Sequence, residues 1–233
     1  MKRSVAVLGA GGKMGFRVTR KLHDAGYDLR AVEIGDAGKA RLADAGIAAL
    51  DAATGLKGAD VVVLALPDNI IGKVANEIAS DLGPGTMLLI LDAAAPYADV
   101  LPKDRPDLTY FVGHPCHPPL YNDETDWSAR RDYHGGVAKQ SIVCALMQGP
   151  ETHYAVGVEI CEAMWSPVTR THRVTVEQLA ILEPGLSEML AMCMIDIMSE
   201  AVDECEKTYG IPREAAHDFL IGHLNVAIAM WFG

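Results

Sequence analysis

The chain has 233 residues, half of them apolar, with a formal charge of −11, which is enough for a sizeable core in one large domain or two small ones. Its longest apolar runs, such as Thr86 to Leu91 and Val226 to Phe232, fall short of the ~20 residues a membrane span needs; the acidic balance, without a basic stripe, also argues against a nucleic-acid partner. Five cysteines, odd in number and without a C-x-x-C pair, do not form a disulfide framework and point to a reducing cytoplasm.

In chain order, the start "MKRSVAVLGAGGKMG" imitates a secretory leader, but glycines and Lys13 interrupt its short apolar run. It reads as a first strand, Ser4 to Leu8. Further strands are expected at Leu29 to Ile34, Asp60 to Ala65, Met87 to Leu91 and Leu108 to Val112. Helical stretches lie between them, and "KMGFRVTRKLHDAG" and "AGKARLADAG" each end on a glycine suited to a left-handed C-terminal cap. This alternation predicts an α/β fold, a Rossmann-like, doubly wound, mostly parallel sheet over residues 1–150. "KQSIVCALMQG" adds one more strand. From Pro150 the pattern turns helical, giving a smaller all-helical domain over residues 151–233. There Thr175 and Gln178 make a capping box, and Pro184 should kink the long segment from Val176 to about Tyr209.

"VAVLGAGGKMG" sets Gly9, Gly11, Gly12, Lys13, Met14 and Gly15 between a strand and an amphipathic helix. A tight turn without side chains lets a pyrophosphate approach, and the helix N-terminus favours its charge. Glu33 closes the second strand 24 residues after Gly9, where an acid accepts from both ribose hydroxyls and repels a 2′-phosphate, so the expected cofactor is NAD. Leu66, Pro67 and Asp68, in "LALPDN", should lie along it.

"FVGHPCHPPLYNDET" follows the fifth of these strands and puts His114, Cys116 and His117 at the carboxyl edge of the sheet, where open α/β folds bind ligands. Imidazole transfers protons near neutrality and ligates metals. The alternative is a proline-stiffened loop whose histidines only bond backbone. Both histidines can serve one site only if the prolines turn the chain, because residues i and i+3 of an extended segment face opposite ways. In the helical half, Arg170 and Arg173 could clamp a substrate carboxylate. Glu183 sits in an apolar context just before Pro184 and should be paired with an arginine or a metal. For Asp196 and His223 a core or interface role is the simpler reading.

These residues resemble a family. The N-terminal half is similar to β-hydroxyacid dehydrogenases, and "GHPCHPPLYNDE", "LEPGLSE" and "FLIGHLNVAIA" resemble the bacterial D-apionate oxidoisomerases, grouped through their helical half with phosphogluconate dehydrogenases. The resemblance covers nearly the whole chain and implies NAD-dependent oxidation of a branched sugar acid, D-apionate, with migration of a hydroxymethyl group to give 3-oxo-isoapionate. β-Hydroxyacid dehydrogenases use a lysine of the second half, yet no lysine lies between Lys139 and Lys207. A histidine or metal-assisted route fills that gap, with His114, His117 and Glu183 as catalytic candidates and His114 and Glu183 as ligands of a divalent ion. Rival readings are a plain or decarboxylating hydroxyacid dehydrogenase, an aldehyde dehydrogenase using Cys116, and a non-catalytic NAD-sensing module. The apolar "EMLAMCMIDIM" and "NVAIAMWFG" segments predict a homodimer built through the helical half.

Overall fold

The computed structural model describes residues 2–232, which form two compact units divided after Ala180. The first unit carries one eight-stranded sheet in the order β3-β2-β1-β4-β5-β6-β7-β8. Its strands are β1 (Ser4–Leu8), β2 (Asp28–Val32), β3 (Ala49–Leu50), β4 (Val61–Leu64), β5 (Met87–Ile90), β6 (Thr109–Pro115), β7 (Gln140–Gln148) and β8 (Val168–Arg173). All neighbours from β3 to β6 are parallel, whereas β7 runs antiparallel to β6 and β8 follows β7.

Both faces of the central strands are buried, and the period of two in a strand sorts their side chains. Val5, Val7, Val61, Val63, Met87 and Leu89 enter one core. Ala6, Leu8, Val62, Leu64, Leu88 and Ile90 enter the other. Each buried valine, leucine, isoleucine or methionine among them stabilises the fold by about 1.5–3 kcal/mol. The first core is closed by α1 (Lys13–Asp24) and α7 (Thr152–Met164). α1 buries Gly15, Val18, Thr19 and Leu22, one face of a 3.6-residue repeat. The second core is closed by α3 (Ala52–Leu56), α4 (Asp68–Ile78) and α5 (Ala94–Tyr97). Helices α1 and α2 (Asp36–Asp44) end as expected, before Gly26 and Gly46 at φ 75° and 72°. The first unit is completed by α6 (Trp127–Arg130) and α8 (Val176–Ala180).

Residues 151–180 differ from expectation. The division falls after Ala180, because α7 packs on β6 and β7 and β8 extends the sheet. The run "VTRTHR" is an edge strand inside the stretch expected to be all-helical. The capping box forms: Thr175 N donates to Gln178 Oε1 at 2.9 Å and Gln178 N donates to Thr175 Oγ1 at 3.1 Å, opening α8.

Among the described residues of the second unit every regular element is a helix. A π-helical stretch, Ile181–Ala191, contains Pro184 and leads into α9 (Met192–Tyr209), which is followed by α10 (Arg213–Phe232). Proline offers no backbone donor, and the wide π turns enclose Pro184, where the sequence predicts a kink. Arg213 pairs with Asp203 and Glu206, tying α10 to the end of α9. Among the described residues of this unit only Val202 is buried, while Met189, Ile197, Phe219 and Met230 are more than 60% exposed. No helix among the described residues is long and apolar enough to cross a membrane.

Candidate active site

Between β1 and α1 the chain makes its glycine turn. Gly9 has φ 75°, and a Cβ there would meet the Ala65 carbonyl oxygen at 2.4 Å. A Cβ on Gly15 would lie 1.9 Å from the Gly9 oxygen, so helix and turn approach as closely as only glycine permits. Gly12 caps α1 without any side-chain hydrogen bond, leaving the first N–H groups for an anion. Glu33 follows β2 directly, and its carboxylate accepts from Gly11 N at 2.8 Å, Ile34 N at 2.9 Å and Gly35 N at 2.8 Å. Pro67 and Asp68 open α4 beyond β4, on the same edge of the sheet. The turn, the acid and this edge fit a dinucleotide.

Three strand spacings from β1, roughly 14 Å away, the same edge carries the imidazoles. β5 pairs with Thr109 to Val112 only, so Gly113, His114 and Pro115 overhang it and are held by β7 alone. The overhang lets His114 Nδ1 bond the carbonyl of Leu91 at 2.7 Å. A carbonyl only accepts, so Nδ1 carries the proton and Nε2 the lone pair. Asp92, next along the chain, brings a carboxylate oxygen within 4.8 Å of a ring nitrogen of His114. Its Oδ1 also accepts from Ala94 N at 2.7 Å. An oxygen and a nitrogen donor at this separation could hold two positions around a divalent cation.

His117 adopts φ 61°, turning the chain within the proline-rich segment. Its ring meets those of His114 and His134 edge to face, at centroid distances of 6.3 and 6.1 Å. Nδ1 of His117 donates to the His134 carbonyl at 3.0 Å, which again assigns the lone pair to Nε2. Burial pushes its pKa below the ordinary imidazole value, an effect that the His134 bond opposes and the neighbouring His114 reinforces. That carbonyl is itself held by Arg17, whose Nη2 donates to His134 O and Gly135 O at 2.5 Å each. Asp132 organises the same loop by accepting from Gly135, Val137 and Ala138.

The expected arginine clamp is not there. Arg170 and Arg173 lie on β8, and three residues apart on a strand they face opposite sides of the sheet. Arg173 pairs with both oxygens of Glu151 and lies 4.1 Å over the Tyr154 ring; Arg170 is exposed. Glu183 belongs to the second unit, in the π-helical stretch, with Ser187 Oγ donating to its carbonyl. Asp196 and His223 are exposed there, and His223 stacks on Phe219. Burial raises the pKa of Cys116, the opposite of what a thiolate nucleophile needs. Asp92 and His134 were missed. Asp92 carried the same signal as Glu33, an acid just past an apolar strand.

Comparison with known proteins bears on these features. Residues 4–96 match the family described as NADP oxidoreductase, coenzyme F420-dependent, and residues 122–233 match the phosphogluconate dehydrogenase (decarboxylating) C-terminal family. The D-apionate oxidoisomerase of Rhizobium rhizogenes is 55% identical over 230 residues, spanning 98% of this chain and 83% of the relative. The chain belongs to the D-apionate oxidoisomerase family. A solved protein from Jannaschia sp. CCS1 is 67% identical with a TM-score of 0.96, covering 100% of this chain and 85% of that one. The semialdehyde dehydrogenase NAD-binding protein of Cupriavidus necator, solved with calcium and NAD, is 52% identical with a TM-score of 0.95; the match covers 98% of this chain and 83% of that one.

Proposed function

We propose that this protein is an NAD-dependent oxidoisomerase that oxidises the C2 hydroxyl of D-apionate and then moves a hydroxymethyl group from C3 to C2, giving 3-oxo-isoapionate. One observation carries the reading: a dinucleotide turn and a histidine cluster share the carboxyl edge of one sheet, in a chain 55% identical to a protein of that name.

Gly9, Gly11, Gly12, Lys13, Met14 and Gly15 hold the pyrophosphate, Glu33 the adenosine ribose, and Leu66, Pro67 and Asp68 flank the cofactor. NAD, when bound, supplies the acceptor for the hydrogen leaving C2. His117 takes the C2 hydroxyl proton on Nε2; its burial supports this role by keeping the ring neutral near physiological pH. His114 cannot serve as the same base and as a ligand, since one lone pair does one job. We assign His114 Nε2 and Asp92 to a divalent cation. Such an ion supplies Lewis-acid stabilisation of negative charge on the oxygens of C2 and C3. In the rearrangement the bond from C3 to the hydroxymethyl carbon breaks as the bond from C2 to it forms; His117 returns its proton to the C2 oxygen and takes the one leaving the C3 hydroxyl, so the step is neutral in protons and in oxidation state. Arg170 alone of the two strand arginines remains available for the substrate carboxylate.

The exposed apolar side chains of the second unit support a homodimer, formed by a second copy covering Met189, Ile197 and Phe219. Five free cysteines support a reducing, cytoplasmic setting. The decisive experiment incubates the protein with D-apionate and NAD, with and without chelator, and follows NADH and the product's carbon skeleton. Stoichiometric NADH with a rearranged C5 acid is expected. Carbon dioxide release, or an unrearranged 2-oxo acid as the final product, would replace the oxidoisomerase reading with that of a hydroxyacid dehydrogenase.

A further inference from the structure

Gly38 stands inside α2, in its first turn, where glycine is the weakest helix former after proline. The structure gives a spatial reason. A Cβ at position 38 would lie 2.6 Å from Glu33 Cδ, 2.7 Å from Oε2 and 2.8 Å from Cγ. These atoms are the end of a flexible side chain, so an added methyl would displace the carboxylate and leave the helix backbone in place. The displaced oxygen is the one that accepts from Gly11 N at 2.8 Å, the bond that joins Glu33 to the pyrophosphate turn.

Glu33 is therefore fixed by three backbone N–H groups, from Gly11, Ile34 and Gly35, and by the missing side chain at 38. A carboxylate offers about four acceptor positions. With three taken, the remaining position has a defined direction. We infer that Gly38 is a specificity-determining positioning residue. By leaving room for this one Glu33 conformation, it lets the carboxylate bind a ribose hydroxyl and exclude a 2′-phosphate. The inference rests on the NAD reading above and assigns its discrimination to a residue that need not touch the cofactor.

The test is a thermodynamic cycle on the full chain, with Gly38→Ala, Glu33→Ala and the double variant. Dissociation constants for NADH and NADPH are read by fluorescence titration, and Tm is measured alongside. Losing a charged hydrogen bond should weaken NADH binding roughly tenfold or more in Gly38→Ala, with a smaller loss or a gain for NADPH. Its Tm should change little, since alanine's gain in the helix is offset by the lost Glu33–Gly11 bond. On the Glu33→Ala background the second substitution should change neither constant, because its target is gone. Wild-type discrimination retained in Gly38→Ala, equal losses for both cofactors, or a further loss in the double variant would each overturn the inference while leaving the NAD reading intact. A wild-type chain that fails to bind NADH would overturn that reading and the inference with it.

Discussion

The imidazoles of His114 and His117 stand edge to face, with centroids 6.3 Å apart and planes at 89°. In an extended chain they would have faced opposite ways. The left-handed conformation of His117, φ 61°, brings them together, and each ring is pinned through Nδ1 to a carbonyl, Leu91 for one and His134 for the other. Both therefore present Nε2 as the basic nitrogen, and their roles can be tested separately.

The acid limb of kcat/KM should report His117. Burial lowers its folded pKa, so the base is neutral over a wider range and activity should fall only below the ordinary imidazole value of about 6.5. The unfolded chain takes up this proton more readily. The stability contributed by the neutral ring is thus full above about pH 6.5 and is lost as pH falls toward the folded pKa. His117→Asn should remove that limb and lower turnover by ~10²-fold or more. A variant with an unchanged pH profile would refute the assignment.

Asp92→Asn and His114→Ala should each weaken manganese binding, read by calorimetry or by the ion's paramagnetic resonance. NADH affinity should stay near wild type. Turnover should drop on the order of 10²-fold. Tight manganese binding retained by both variants would move the ion elsewhere.

Asp132→Ala removes an acceptor from three backbone N–H groups and should destabilise the protein by about 1–3 kcal/mol. Burial raises this carboxyl's pKa, but the bonds from Val137, Ala138 and Gly135 outweigh it and the pKa lies below the usual aspartate value. Its stabilisation is therefore complete above about pH 4 and fades as acid titrates the folded group. Urea midpoints at pH 7 and pH 3 should show the variant's deficit shrinking. Because this loop supplies the His134 carbonyl, the kinetic pKa assigned to His117 should move as well.

Gly157 faces Phe111, and a Cβ there would fall 2.4 to 2.5 Å from three atoms of the ring. Gly157→Ala should cost about 1–3 kcal/mol through overpacking, although alanine is the better helix former by about 1 kcal/mol. Thermal melting decides this, and an unchanged or raised Tm would show that α7 can lift from β6 at no cost.

Strands β1, β4 and β5 were legible because both of their faces are buried, which leaves runs that are apolar apart from Ser4. β8 was not. It is an edge strand whose polar positions face solvent, so "VTRTHR" carries no apolar alternation and falls within the stretch expected to be helical. The clamp expected of Arg170 and Arg173 fails there, because residues three apart on a strand lie on opposite sides. β3 has two residues and leaves no periodic trace. The glycine turn and Glu33 were legible from spacing. The partner of His114 was not, since it depends on how far β6 outruns β5, a length that pairing sets and local sequence does not.

β6 and β7 are antiparallel neighbours, with Cys116 N bonded to the Ser141 carbonyl at 2.9 Å. The long excursion between them thus leaves and rejoins the sheet at one point. Loop-closure entropy grows only with the logarithm of length, so this segment can lengthen, shorten or change sequence while the strands that carry the cofactor keep their register. An ancestral scaffold could acquire new substrates by exchanging this one segment. In a laboratory graft, cofactor binding and substrate preference should accordingly be separable traits.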